Sequence, residues 1–170
     1  LMGVKISIKK GYVIAERKKN NLNSIDHKFP KISVGATQNI LMAASLASGK
    51  STLKNCAIEP EVIDLINFLN KCGALIKVKN RTITVRGVEE LKLQDYKVIP
   101  DRIEAGSYIL ATMATKGRLK LNNFNPKDLA FPLKLYKGMG LKIKKLSNSS
   151  YEIYCNKLKP IKKIATKEFP

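Results

Sequence analysis

The sequence predicts a mixed α/β fold (α/β, in its α+β form) built from β-α-β-α-β-β units, two complete and a third represented by its closing hairpin. Three observations lead there. The chain repeats itself about every 67 residues: Gly49 and Gly117 stand at an offset of 117 − 49 = 68, Pro60 and Pro126 at 66, and Gly73 and Gly140 at 67. Each copy switches between helical spacing of its apolar residues and the alternation of a half-buried strand. The opening "MGVKISIKKGYVIA" also echoes "CGALIKVKNRTITV" and "MGLKIKKLSNSSYEIY", the phrases that close the two copies.

A unit is expected to open with a short apolar strand, residues 31–34 in one copy and 97–99 in the other. A helix follows, with Ile40, Leu41, Ala44 and Ala47 on one side, or Ile109, Leu110 and Met113 in the second copy. Gly49 or Gly117 lies just past its end, where a left-handed residue relieves the last carbonyls. A brief strand comes next, 52–55 or 119–122. The second helix opens on Pro60 or Pro126, a position whose amide has no intrahelical partner to lose. Val62, Ile63, Ile66 and Leu69 give it one apolar side, and in the second copy Pro132 predicts a kinked or shortened helix. Gly73 or Gly140 ends it, and two alternating strands close the unit as a hairpin. Gly3 stands 73 − 3 = 70 residues before Gly73, so residues 1–15 read as the closing hairpin of a third copy, whose strands and helices would lie upstream.

Composition narrows the function classes. With 44% hydrophobic residues in 170, the chain can bury a core, and no apolar run reaches the length of a membrane span. No signal-peptide succession opens it, so the cytoplasm is the expected location. Cys56, Cys72 and Cys155 are odd in number and widely spaced, which argues against a disulfide framework or a zinc site; no metal and no cofactor is expected, and none of the three reads as a nucleophile. His27 is the single histidine and is expected in a loop rather than as a base. The net charge of +19 raises a nucleic-acid hypothesis, but the excess is lysine scattered along every segment, with only Arg17, Arg81, Arg86, Arg102 and Arg118 available for bidentate contacts. Six tyrosines and five phenylalanines offer few stacking platforms, so no specific nucleic-acid partner is expected.

Two stretches at equivalent places carry more chemistry. In "KISVGATQN" the chain enters a helix through Ser33, Val34, Gly35, Ala36 and Thr37, with Lys31 nearby. Glycine permits close backbone approach and the first-turn amides of a helix attract anions, so a diphosphate would suit this turn. In "VIPDRIEAG", Asp101, Arg102 and Glu104 crowd three charges into the same turn of the second copy, where a helix cap and a surface ion pair would serve equally. In a third stretch, "CAIEPEVID", Glu59 and Glu61 flank Pro60; acidic groups there complement the helix dipole without any function. The second copy has Asn125 and Lys127 instead, so the repeated fold does not require carboxylates.

"KISVGATQNILMAASLASG", "IEPEVIDLINFLNKCGA" and "VIPDRIEAGSYILATMATKG" together closely resemble the bacterial UDP-N-acetylglucosamine 1-carboxyvinyltransferases, or enolpyruvyl transferases. The resemblance covers nearly the whole chain and is weakest over residues 146–167; the final Phe169–Pro170 would begin the family's FPTD motif. It implies the enolpyruvate transferase fold, an inside-out α/β barrel of two lobes with three units each. Residues 1–98 would be the end of the first lobe, comprising a hairpin and a full unit over 31–86, and 99–170 the first unit of the second. It also implies transfer of the enolpyruvyl group of phosphoenolpyruvate to the 3-hydroxyl of UDP-N-acetylglucosamine, at the first committed step of peptidoglycan synthesis. Lys31, Ile32, Ser33 and Val34 match the family's loop for the uridine diphosphate, with Gly35 next. Glu59, Glu61, Asp101, Arg102 and Glu104 match charged positions supporting the inter-lobe cleft.

The family's Lys-Asn pair for phosphoenolpyruvate, its cysteine loop and its phosphate-clamping arginines would lie before residue 1, and its aspartate base beyond Pro170. No catalytic residue is therefore expected within the chain, which by itself should not complete the transfer, because such groups act as a unit. A transferase acting on shikimate 3-phosphate and an RNA-binding module are the alternative readings.

Overall fold

The computed structural model describes residues 2–17, 22–161 and 163–165. A two-stranded antiparallel hairpin comes first, β1 (Val4–Lys9) and β2 (Tyr12–Arg17). Lys10 and Gly11 both take positive φ at its turn, the geometry that matches the twist of two adjoining strands.

The next elements are β3 (Asp26–Lys28), α1 (Val34–Ser45), β4 (Lys50–Lys54), α2 (Pro60–Lys71), β5 (Leu75–Lys79) and β6 (Thr82–Arg86). They form a four-stranded sheet in the order β3-β4-β6-β5, with β3 parallel to β4 and the other pairs antiparallel. Leu41 and Ala44 from α1, Val62 and Ile66 from α2, and Leu53, Ile83 and Val85 from the sheet make a core with almost no solvent contact. Pro60 takes the first helical position of α2, and Gly73 follows Cys72, its C-terminal cap, with φ +104.

After residues 88–101, which have no regular structure, come α3 (Arg102–Ala114), β7 (Arg118–Leu121), a 3-10 turn (Pro126–Leu129), α4 (Ala130–Gly138), β8 (Lys142–Lys145) and β9 (Tyr151–Tyr154). Their sheet runs β7-β9-β8, and Ile109, Met113, Leu133, Leu141 and Ile153 close a second core. Contacts divide the chain into two compact units between Val98 and Ile99. Each unit reproduces the predicted helix-strand-helix-hairpin order.

Three expectations need correction. Residues 31–34 are not a strand: the unit's first strand is β3, five residues earlier. Pro30 has no amide to extend that ladder, Phe29 makes its last bond to the Lys54 carbonyl (3.0 Å), and Ser33 already caps α1. Residues 97–99 form no strand either; Val98 is exposed, and the β7-β9-β8 sheet has no fourth member among the described residues. His27 lies in β3 rather than a loop, half-buried, its ring edge-on to Phe29 at 4.9 Å. Pro132 does shorten the second helix, by a specific route. The Pro126 turn winds as 3-10, and α4 starts afresh at Ala130, so Pro132 falls in a first turn, where its missing amide breaks no helical bond. Phe169 and Pro170 lie outside the described residues.

Candidate functional site

In the first unit, the N-termini of α1 and α2 are tied together. Ser33 adopts extended backbone angles and its hydroxyl accepts from the Ala36 amide (3.3 Å). The wholly buried Thr37 donates its hydroxyl hydrogen to the Ser33 carbonyl (2.8 Å) and accepts from the Ala57 amide (3.0 Å), joining the entry of α1 to the loop before α2. The Gln38 side-chain amide reaches the Glu61 carbonyl (3.5 Å). Arg81 braces the same loop from below, donating to the Cys56 carbonyl (3.1 Å).

This frame sets how each predicted site residue stands. Ile32 and Val34 pack against the core, while Lys31, Ser33 and Gly35 face outward. A Cβ built on Gly35 would meet nothing within 4 Å, so neither packing nor φ demands glycine there; its absent side chain leaves the first turn of α1 open to a ligand. Lys31 adds positive charge beside that turn.

Glu59 occupies the N-cap of α2, and its carbonyl accepts from the amides of Val62 (2.8 Å) and Ile63 (3.1 Å). Its carboxylate does not cap the helix; Oε2 is buried and has no hydrogen-bond partner. A desolvated, unsatisfied carboxylate oxygen is costly to the fold. Glu61, one residue inside the first turn, does complement the helix dipole. Cys56 is buried nearby and its thiol is pushed up to about 11 by burial, partly offset by a bond to the Ile83 backbone. A thiol so disinclined to ionise is no nucleophile.

In the second unit, Asp101 caps α3, its Oδ1 accepting from the amides of Ile103 (2.7 Å) and Glu104 (3.1 Å). Asp101 and Glu104 share the wall of a cavity of about 230 Å³ with Pro100, Tyr108, Asn122 and Phe124. Arg102 is half-buried and is not among the residues lining it. The cavity suits a small polar group, being below the size of ordinary ligand pockets. Among the described residues no cluster of three or more His, Cys, Asp or Glu forms a metal site.

Sequence reasoning passed over Gln38 and gave no bracing role to Thr37 or Arg81, which it named only as part of the turn and as one of the arginines. Thr37 carried a usable signal: a polar β-branched residue four positions after a capping serine, on the face that also holds Leu41 and Ala44.

The family model described as EPSP synthase (3-phosphoshikimate 1-carboxyvinyltransferase) matches residues 1–168. The chain belongs to the EPSP synthase family. It is 46% identical over 170 residues, 99% of its length, to a UDP-N-acetylglucosamine 1-carboxyvinyltransferase of Pelagibacter ubique (strain HTCC1062). It is 49% identical over 128 residues, 75% of its length, to the protein of the same name from Wolbachia sp. subsp. Drosophila simulans (strain wRi). It spans only 40% of the first relative and 30% of the second. Among solved structures, the enolpyruvyl transferase NikO from Streptomyces tendae aligns over 90% of this chain and 39% of its own, with a TM-score of 0.74 at 22% identity. An EPSP synthase from Acinetobacter baumannii aligns over 94% of this chain and 39% of its own, at 0.62 and 19%. At those identities the two structures speak for the fold, and this EPSP synthase-family chain shares the inside-out α/β architecture of the enolpyruvyl transferases. Among the described residues no helix is long and apolar enough to cross a membrane.

Proposed function

We propose that this chain carries the nucleotide-sugar-binding segment of a cytoplasmic UDP-N-acetylglucosamine 1-carboxyvinyltransferase. That enzyme would move the enolpyruvyl group of phosphoenolpyruvate to the 3-hydroxyl of UDP-N-acetylglucosamine and release inorganic phosphate, for peptidoglycan synthesis. The observation that carries the reading is the 46% identity to the Pelagibacter ubique relative along essentially the whole chain. The geometry supports it: an open first turn on α1 with Lys31, Ser33 and Gly35 outward suits a diphosphate. Ile32 and Val34 face the core, so their contribution to the ligand is through backbone. Residues 1–98 would belong to one lobe and 99–170 to the next. Glu59, Glu61, Asp101, Arg102 and Glu104 would support the cleft, with the bare Oε2 of Glu59 as an acceptor awaiting a donor.

The test is saturation-transfer NMR on the 170-residue chain with UDP-N-acetylglucosamine and, separately, shikimate 3-phosphate. Saturation of the nucleotide sugar, weakened about 5- to 10-fold by Lys31→Ala, is the expected outcome. Saturation of shikimate 3-phosphate alone, or indifference to Lys31, would overturn the reading.

A further inference from the structure

The lysines are scattered along the sequence, but the four-stranded sheet of the first unit gathers them. Its register sorts side chains to two faces. Leu53, Ile76, Ile83 and Val85 turn inward to the core that α1 and α2 complete. The alternate positions turn outward and hold Lys28, Lys50, Lys54, Lys77, Lys79 and Arg86, all of them exposed. Thr52 and Thr84 pair across the middle of the same face.

Residues 22–98 contain eleven Lys and Arg and seven Asp and Glu. Six of those cations stand on this face, but only one of the carboxylates, Asp26, does. The rest of the stretch is left with five cations against six carboxylates: Glu59, Glu61 and Asp64 at α2, and Glu89, Glu90 and Asp95 after β6. Among the described residues no ion pair neutralises any of the six face cations. Charge that only kept the chain soluble would have no reason to sort by face.

We infer that this face docks on an anionic lipid surface, with its lysines against headgroup phosphates. The face has one arginine and no aromatic side chain, so it offers neither forks to read bases nor platforms to stack them. An open sheet suits a plane of phosphates, whereas a nucleic-acid strand is held in a groove. Leu75, paired with Arg86 and 55% exposed, adds an apolar contact on the edge strand. Peripheral docking of this kind needs no spanning helix. It does not depend on the ligand reading above, because α1 and α2 lie on the opposite side of the sheet.

The test is co-sedimentation of the 170-residue chain with vesicles of phosphatidylglycerol and phosphatidylcholine in equal parts, and with phosphatidylcholine alone, at an ionic strength of about 0.15 M. Two triple variants remove the same charge. One combines Lys54→Gln, Lys77→Gln and Lys79→Gln on the face; the other combines Lys127→Gln, Lys134→Gln and Lys137→Gln, three exposed positions of the second unit. The expected result is binding to the mixed vesicles only, weakened about 100-fold by the first triple and less than about 3-fold by the second. In the unaltered chain the mixed vesicles should also shield Lys54, Lys77 and Lys79 from acetic anhydride while leaving Lys127, Lys134 and Lys137 reactive, a readout that needs no variant to fold. Four results would each overturn the inference: no binding to the mixed vesicles; equal weakening by the two triples; equal shielding of the two sets of lysines; or release of the chain from the vesicles by polyuridylate at equal phosphate concentration, which would make the face a nucleic-acid surface.

Discussion

The two units keep the same scaffold and differ where their helices begin. Both end the second helix just before a positive-φ glycine and back it with a hairpin joined to a middle strand, and a proline opens α2 itself in one unit and the 3-10 turn that leads into α4 in the other. At the first helix, Ser33 and Thr37 in one unit correspond to Asp101 and Ala105 in the other. Thr37 bridges to the next loop; Ala105 has no hydroxyl to do so. At the second helix, Asn125 caps with its side chain, accepting from the Lys127 amide (3.2 Å), while Glu59 at the same place leaves its carboxylate out of the cap. Backbone geometry is therefore met in the same way twice, and the divergence gathers at helix N-termini, where amides point outward and anions bind.

The glycines offer the largest test of that likeness. Gly73 and Gly140 share a positive φ, but a Cβ on Gly73 would meet open space, whereas on Gly140 it would run into the Lys157 carbonyl oxygen. Gly73→Ala should cost about 1–2 kcal/mol from backbone strain alone. Gly140→Ala should cost about 3 kcal/mol, because backbone rather than a flexible side chain must move. Urea denaturation of both variants decides it. Equal losses would mean that the strap at Lys157 yields freely and that the second unit is no tighter there than the first.

Hairpins and helices could be read in the sequence because glycine and proline impose local geometry that no tertiary contact needs to supply. The first strand could not. Ile32 and Val34 turn inward while Lys31, Ser33 and Gly35 turn outward, which is the alternation of a strand but here belongs to an extended loop entering a helix. The true strand, Asp-His-Lys, has no apolar pattern and exists through parallel pairing with β4. At the site, the Ser-Val-Gly turn was visible, whereas the role of Thr37 was not, since it depends on a loop twenty residues away. Glu59 was visible as a carboxylate, but only the structure separates it from a helix cap.

That separation yields the next test. Asn125→Ala removes a working cap and should cost about 1 kcal/mol. Glu59→Gln removes the charge from a buried oxygen that has no hydrogen-bond partner, so stability should stay unchanged or rise by up to about 1 kcal/mol. Thermal melts of the two variants check the contrast. A loss from Glu59→Gln matching that from Asn125→Ala would return Glu59 to a structural role.

The smallest expected loss comes from a contact without a counterpart. Tyr96 donates to the Asp64 carboxylate (2.7 Å) and lays its ring against Phe68 at 5.2 Å, fastening the strap after β6 to α2; at the 67-residue offset the second unit has Lys163. The bond to Asp64, with a lesser contribution from burial, pushes the Tyr96 hydroxyl up to about 12. A raised pKa means that the fold favours the protonated phenol. Its stabilisation is therefore fully present below the unfolded value near 10 and is lost as pH rises through about 12. The hydroxyl is within reach of solvent, so Tyr96→Phe should cost only about 0.5 kcal/mol at pH 8. The difference between wild type and Tyr96→Phe in urea midpoint should shrink steadily between pH 10 and 12. A difference that stays constant across that window would show that the ring against Phe68, rather than the hydroxyl on Asp64, holds the strap.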